Sequence, residues 1–322
     1  MVSKYIFSKG MINRDENTLY FKTNEQKIPL PIEQIEEIYL MNNVSISSQA
    51  IHLISKKEVI LHFFDHYGNY DGSFFPKSTL ISGRIIVLQA KHYLEENKRM
   101  FLAKQFIKGA MKNIGINIRT LLNNRIDIKK FINNIENSSN IEEIMSFEGN
   151  LRKKYYEFMD EKTNKFGFVI NKRSRRPPKT NSNALLSFLN SLLYAKIIKE
   201  IYYTHVNPMI SFLHEPSERR YSLALDISEI FKPFIVERYY LSLICNRIIQ
   251  PNNFIKNTNG LLIEENSRKK IVKFFEENLK RTIKHKTLKR KISYERLIRL
   301  EIYKLEKHFL DMKKYKPLIA WW

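Results

Sequence analysis

The chain of 322 residues carries 55 lysines and arginines against 33 acidic residues, a formal charge of +22, and a compact state that repels itself this strongly has a polyanion as its natural counterpart. Nucleic acid is the first candidate and a membrane surface the second, although an AT-rich genome also favours the Lys, Asn and Ile abundant here. One cysteine, Cys245, excludes an intrachain disulfide and a cysteine-cluster zinc site. The opening MVSKYIFSKG has no apolar run of a signal peptide, and nowhere do about 18 uncharged apolar residues run together to span a membrane, so the expected setting is a reducing cytoplasm.

In chain order, the first 75 or so residues read as strands. YIFSKG is short and alternating, and MINRDENTLYFKT is a hairpin with Asp15, Glu16 and Asn17 as turn chemistry. IPLPIEQIEEIYLM ends as a strand, and Ile46, Ala50, Ile51 and Ile54 fit helical spacing. EVILHFFDHYGNYDGSFF reads as strand, turn and strand. From Leu80 the apolar period becomes three and four, and SGRIIVLQAKHYLEENKRMFLAKQFIKGAMKNI reads as one long helix. Further helices are expected at Asp127 to Ile135, Ile141 to Met159, Asn183 to Tyr203, Ile227 to Ile248, Glu264 to Leu279 and Tyr294 to Leu310. The predicted class is α+β: a mostly β N-terminal domain over residues 1–77, then an all-α helical domain over 78–322, joined near 76 to 82. Between two of those helices NKRSRRPPK, residues 171–179, is a basic loop that Pro177 and Pro178 keep from being helical.

No glycine-rich phosphate loop and no nucleophile elbow is present, which leaves acid and histidine combinations. His62, Asp65 and His66 lie in the strand Val59 to Tyr67, where 62 and 66 share a face; they are either a metal pair lacking a third ligand or structural histidines. Asp226 and Glu229, three apart before IFKPFIV, read equally as an N-cap with its N3 partner or as two carboxylates converging on one hard cation. Pro233 should kink or break that helix. His214 would add a nitrogen from the preceding loop, which Mn²⁺ accepts more readily than Mg²⁺. Glu148 is the candidate third carboxylate. Its Glu-Gly-Asn interrupts a helical pattern, and Gly149 leaves room for close approach; the alternative is a solvated surface glutamate.

On these residues the chain resembles the CRISPR-associated adaptation integrase family, the catalytic Cas one subunit of spacer acquisition. SFEGNLRKKYY, KRSRRPPKTNSNALLSFLNSLLYAKI and NPMISFLHEPSERRYSLALDISEIFKPFIVERYY carry the likeness. TIKHKTLKRKISYERLIRLEIYKLEKHFL and the closing YKPLIAWW look like its type I-B branch. The resemblance implies a metal-binding set of Glu148, His214, Asp226 and Glu229, with Glu229 where many members have Asp, and either acid of that pair as direct ligand. Asn183 matches a family asparagine with a packing or orienting part.

The activity implied is that of a metal-dependent DNA integrase and endonuclease using Mn²⁺ or Mg²⁺. It would insert short DNA fragments into a CRISPR array by transesterification from a 3′-hydroxyl. The implied partners are double-stranded DNA (protospacer and repeat), a second copy joined through the β domain, and the small Cas two protein in a heterohexamer. Arg152, Lys172, Arg173, Arg175, Arg176 and Lys179, with Lys284, Lys286, Lys289 and Arg290, are expected to meet phosphates without reading sequence. A branched-DNA nuclease and a non-catalytic nucleic-acid binder remain as alternatives.

Overall fold

The computed structural model describes residues 2–77, 80, 82–171, 173–174, 177–216, 221–257 and 260–321, with Asn257 by its backbone alone. The chain divides into two compact units, residues 1–79 and 80–322.

In the first unit, alternating apolar residues give short strands: β1 (Val2–Ile6), β2 (Gly10–Asp15), β3 (Thr18–Lys22), β4 (Lys27–Leu30), β5 (Ile35–Leu40) and β6 (Val44–Ile46). The helix α1 (Ser48–Lys56), β7 (Ile60–Phe64) and β8 (Tyr70–Phe74) complete it. They form two four-stranded sheets, ordered β1-β5-β7-β8 and β4-β3-β2-β6. The expected hairpin is β2–β3, with Asp15 paired to Thr18 across its turn. Gly10 opens β2 because a Cβ there would lie 2.4 Å from the Lys22 carbonyl oxygen and 2.7 Å from the Phe21 ring. Ser47 caps α1 by accepting the Ala50 N–H. Ile12, Leu19, Ile38, Ala50, Ile54, Val59 and Leu61 are fully buried in one core, each large side chain worth about 1.5–3 kcal/mol.

The histidine pair does not form. His62 is buried on β7, its Nδ1 2.6 Å from Ser73 Oγ and its Nε2 3.3 Å from Glu37. His66 lies beyond the strand end, where Asp65 instead accepts the Asn69 backbone N–H at 2.8 Å to close a turn. The two histidines therefore share no strand face.

In the second unit the expected long helix is two, α2 (Gly83–Leu94) and α3 (Glu96–Thr120), because Glu95 takes an extended conformation (ψ 103°). Asp127 and Asn140 cap α4 (Ile128–Asn137) and α5 (Ile141–Thr163) through their side chains. Then come α6 (Asn181–Tyr202), α7 (Ser222–Phe231) and α8 (Arg238–Cys245). A short hairpin of β9 (Phe254–Asn257) and β10 (Gly260–Ile263) precedes α9 (Glu265–Leu279). A second, β11 (Thr282–Lys284) and β12 (Lys291–Ser293), precedes α10 (Tyr294–Phe309). These hairpins are additions to the expected all-helical domain. No helix among the described residues is long and apolar enough to cross a membrane.

Apolar on nearly every side, α6 can be satisfied only at the centre of the unit. Its buried charges are paired: Lys196 with Glu276 at 2.7 Å, Lys199 with Glu295 at 2.8 Å, and Glu200 with the Arg299 fork at 2.5 and 3.0 Å.

At the end of α10, His308 packs edge-on against His92 with ring centroids 5.1 Å apart. Burial first and the neighbouring His92 second pull its pKa from the ordinary 6.5 down to about 4. Between those values the unfolded chain binds the proton and the folded one does not, so stability falls as pH drops through that window. For this half-buried ring the loss should be about 1 kcal/mol after allowing for solvent screening. Denaturant midpoints at pH 7 and pH 5 should show that loss in the wild type, reduced in His308→Gln; an unchanged pH response in the variant would refute the assignment.

Candidate functional site

Glu148 and Arg152 lie one turn apart on α5, which runs without interruption through Gly149. The expected break at Glu-Gly-Asn is absent. A Cβ on Gly149 would meet nothing within 4 Å, so the helix does not require glycine there and its surroundings are open.

Asp226 and Glu229 share a face of α7, but neither caps it. That helix begins at Ser222 with Tyr221 as its N-cap and no side-chain cap, which places Asp226 in the second turn. The capping-box reading is therefore overturned, because both acids sit too deep in the helix to reach free N–H groups. Asp226 is fully buried and turned toward the preceding loop. Its Oδ2 accepts the N–H groups of Phe212 (2.7 Å) and Leu213 (3.0 Å). Its Oδ1 accepts the His214 N–H (3.0 Å) and lies 2.8 Å from His214 Nδ1. Four hydrogen bonds exhaust the roughly four lone-pair sites of a carboxylate. The acceptor also fixes the imidazole tautomer, with the proton on Nδ1 and the lone pair on Nε2. The Ser211 hydroxyl donates to the His214 carbonyl at 2.5 Å, tightening the same loop.

Pro233 does not end the helical path. Lacking an N–H, it cannot bond to the Glu229 carbonyl, and the chain widens into a π turn over Pro233–Glu237, with the Glu237 N–H donating to the Lys232 carbonyl at 2.9 Å. Eight residues separate Glu229 from Glu237. A π turn absorbs about one residue, leaving the rotation of roughly seven, close to two α-helical turns. Glu237 is thereby brought onto the face of Glu229.

The three glutamates meet at Arg152. Its Nε donates to Glu148, its Nη2 to Glu229 at 2.8 Å and its Nη1 to Glu237 at 2.7 Å. Burial opposes the guanidinium charge, but Glu148, Tyr156, Glu229 and Glu237 outweigh it and hold the pKa above its ordinary value. Burial likewise works to raise the Glu229 pKa, but Lys232 and Arg152 outweigh it and bring it down to about 2. Lys232 also bonds Glu229 directly. Glu237 is held up, chiefly by burial and against the pull of Arg152, and its Oε2 is buried with no hydrogen-bond partner. Sequence reasoning missed Glu237; its spacing from Glu229 becomes meaningful only once Pro233 is seen to widen the helix.

Among the described residues, no three His, Cys, Asp or Glu side chains stand close enough to hold one ion. The Arg152 guanidinium bridges Glu148 and Glu229. The donor chemistry nevertheless suits a hard divalent cation: carboxylate oxygens, one imidazole nitrogen with a fixed lone pair, and an organic cation already bound by two of the acids. With all three glutamates ionised, three negative charges face two positive ones on Arg152 and Lys232, a net attraction for a further cation.

The expected phosphate contacts are placed differently from one another. Arg152 lies inside the acid cluster. Arg173 donates to Ser174 O (2.7 Å), Asn183 Oδ1 (2.9 Å) and Ser187 Oγ (3.1 Å), pinning the basic loop to the start of α6. Asn183 is fully buried and donates to the Ile170 carbonyl at 3.1 Å, an orienting contact. Lys179 is exposed, and Lys172, Arg175 and Arg176 lie outside the described residues. Pro177 packs so close to Gly260 (φ +121°) that a Cβ there would lie 2.6 Å from its ring. Lys284, Lys286, Lys289 and Arg290 are exposed around the β11–β12 turn. His285 Nδ1 closes that turn by accepting the N–H groups of Thr287 (3.2 Å) and Leu288 (3.1 Å), and Trp321 donates to the Lys284 carbonyl at 3.3 Å.

The chain matches the family described as "CRISPR associated protein Cas1" over residues 4–277. A CRISPR-associated endonuclease Cas1 from Methanocaldococcus jannaschii is 48% identical over 316 residues, covering 98% of each chain. The solved structure of a Cas1 protein from Thermotoga maritima superposes with a TM-score of 0.91 at 34% identity, covering 99% of this chain and 100% of that one. A casposase bound to its integration product shares the fold, with a TM-score of 0.87 at 21% identity over 98% of this chain and 93% of that one.

Proposed function

The chain belongs to the CRISPR-associated Cas1 family, and from that premise we propose that it is a metal-dependent DNA integrase and endonuclease that inserts short fragments into a CRISPR array. The observation that carries this reading is the convergence of Glu148 and Glu229, from separate helices, on one cationic centre, Arg152. The two acids of the pair also have different partners: Glu229 bonds Arg152, while Asp226 bonds the His214 ring and its loop.

In the proposed reaction the 3′-oxygen of the incoming strand bonds to a repeat phosphorus as the bond to the repeat 3′-oxygen breaks. The donor hydroxyl proton leaves to solvent, and the released 3′-oxygen takes one up. Glu148, His214 and Glu229 would hold Mn²⁺ or Mg²⁺, and Asp226 acts through His214 as a positioning residue. A bound cation supplies Lewis acidity toward the phosphate oxygens and lowers the pKa of an attacking hydroxyl or water. Glu229 contributes an acid kept ionised far below neutral pH. His214 contributes a lone pair whose direction its Asp226 bond sets. Mn²⁺ titration should show binding to the wild type and at least about tenfold weaker binding to His214→Ala. Undiminished binding by the variant would instead favour a non-catalytic nucleic-acid binder, although that reading has lost its capping box.

Lys179, Lys284, Lys286, Lys289 and Arg290 take the phosphate backbone. If these five each release a counterion, duplex affinity should fall about 10²–10³-fold between about 50 and about 200 mM salt. A flat salt response would remove the basic loop and hairpin from the interface. The β unit is the proposed contact with a second copy: edge strands β1 and β4 carry the exposed apolar residues Val2 and Ile28. The small Cas2 protein is the proposed bridge between two such dimers, and the setting proposed for the assembly is the cytoplasm.

A further inference from the structure

We propose that Arg152 is a resident counter-cation that the metal must displace, and that Glu237 is the residue built to receive it. This rests on the reading of Glu148 and Glu229 as metal ligands. The same guanidinium now binds Glu148 Oε1 and Glu229 Oε2. While it bridges the two acids, its positive charge stands against a divalent cation at the same carboxylates. An arginine cannot neutralise by losing its proton, so it must move.

The place it moves to is already present. Glu237 takes Nη1 on one oxygen at 2.7 Å and leaves its other oxygen buried without a partner, a costly state for a carboxylate unless something else occupies it. Release of Nη2 from Glu229 allows the fork to close on both Glu237 oxygens, a bidentate pair of the strong kind. The π turn at Pro233–Glu237 is what puts Glu237 within reach of the same guanidinium as Glu229. Charge agrees with exchange. With Arg152 withdrawn from Glu148 and Glu229, Lys232 is the one cation among the described residues still paired with those acids.

A double-mutant cycle on Mn²⁺ affinity tests the exchange without reference to activity. Arg152→Gln removes the competitor and should bind Mn²⁺ about tenfold or more tightly than the wild type. Glu237→Gln removes the receiving carboxylate and should bind about tenfold more weakly. The two-residue variant should match Arg152→Gln within about twofold, because without an arginine to receive Glu237 has no part in binding. Simple charge removal predicts instead that the Glu237→Gln weakening persists in the Arg152→Gln background, which overturns the receiving role. Arg152→Gln binding no more tightly than the wild type overturns the displacement itself. If no variant binds Mn²⁺ and the wild type does not either, the metal reading falls and the exchange with it. Thermal shifts with Mn²⁺ and with EDTA give the same ranking through linkage, and separate a misfolded variant from a folded one that does not bind.

Discussion

Glu148→Ala should lower strand transfer in Mn²⁺ by about 10³-fold or more, the scale of several kcal/mol of charge stabilisation lost at the reacting phosphate. The fold should hardly notice. Arg152 keeps Glu229 and Glu237, and α5 keeps its Asn140 cap. Stability should change by about 1–2 kcal/mol, because Arg152 stays paired with two carboxylates, so a loss of rate far beyond that separates a ligand from a structural acid. Full strand transfer by the variant would remove Glu148 from the site.

Asp226→Ala should do the opposite, costing stability as well as activity. It leaves the N–H groups of Phe212, Leu213 and His214 and the Nδ1–H of His214 without their acceptor. Each buried orphan donor costs about 1–3 kcal/mol. With loop relaxation a total loss of about 3–5 kcal/mol is expected, and Mn²⁺ affinity should fall about 10–100-fold as His214 loses its aim. Denaturation and metal titration of the same variant check both. Unchanged stability with metal binding abolished would make Asp226 a direct ligand.

Local chemistry was legible where it acts locally. Asp15, Glu16 and Asn17 announce the β2–β3 turn, and the three-and-four period of α9 and α10 places both helices to within a residue. The long helix failed at Glu95 because neither glycine nor proline marks the break; the apolar period continues across an extended residue. Asp226 looked like an N-cap because an acid, an acid three on and an apolar run are what a cap shows in sequence. Its actual partners are twelve to fourteen residues back in the chain, a distance no periodicity reports. Proline rules foresaw a disturbance at Pro233 but not its form, and Glu237 became readable only through the π turn. For Arg152, a run of cations pointed to phosphate, whereas two of the three carboxylates that hold it come from α7 and the π turn, whose meeting with α5 is a tertiary fact.

The most direct test of the account compares two donor duplexes in Mn²⁺ with a repeat-containing target, one ending in a 3′-hydroxyl and one in a 3′-deoxy terminus. An integrase joins the first to the target and leaves the second unjoined, and joining of the first should fall to background in Glu148→Ala. Target cleavage that proceeds equally with either donor, with no joined product, would contradict integration and leave a nuclease acting on branched DNA.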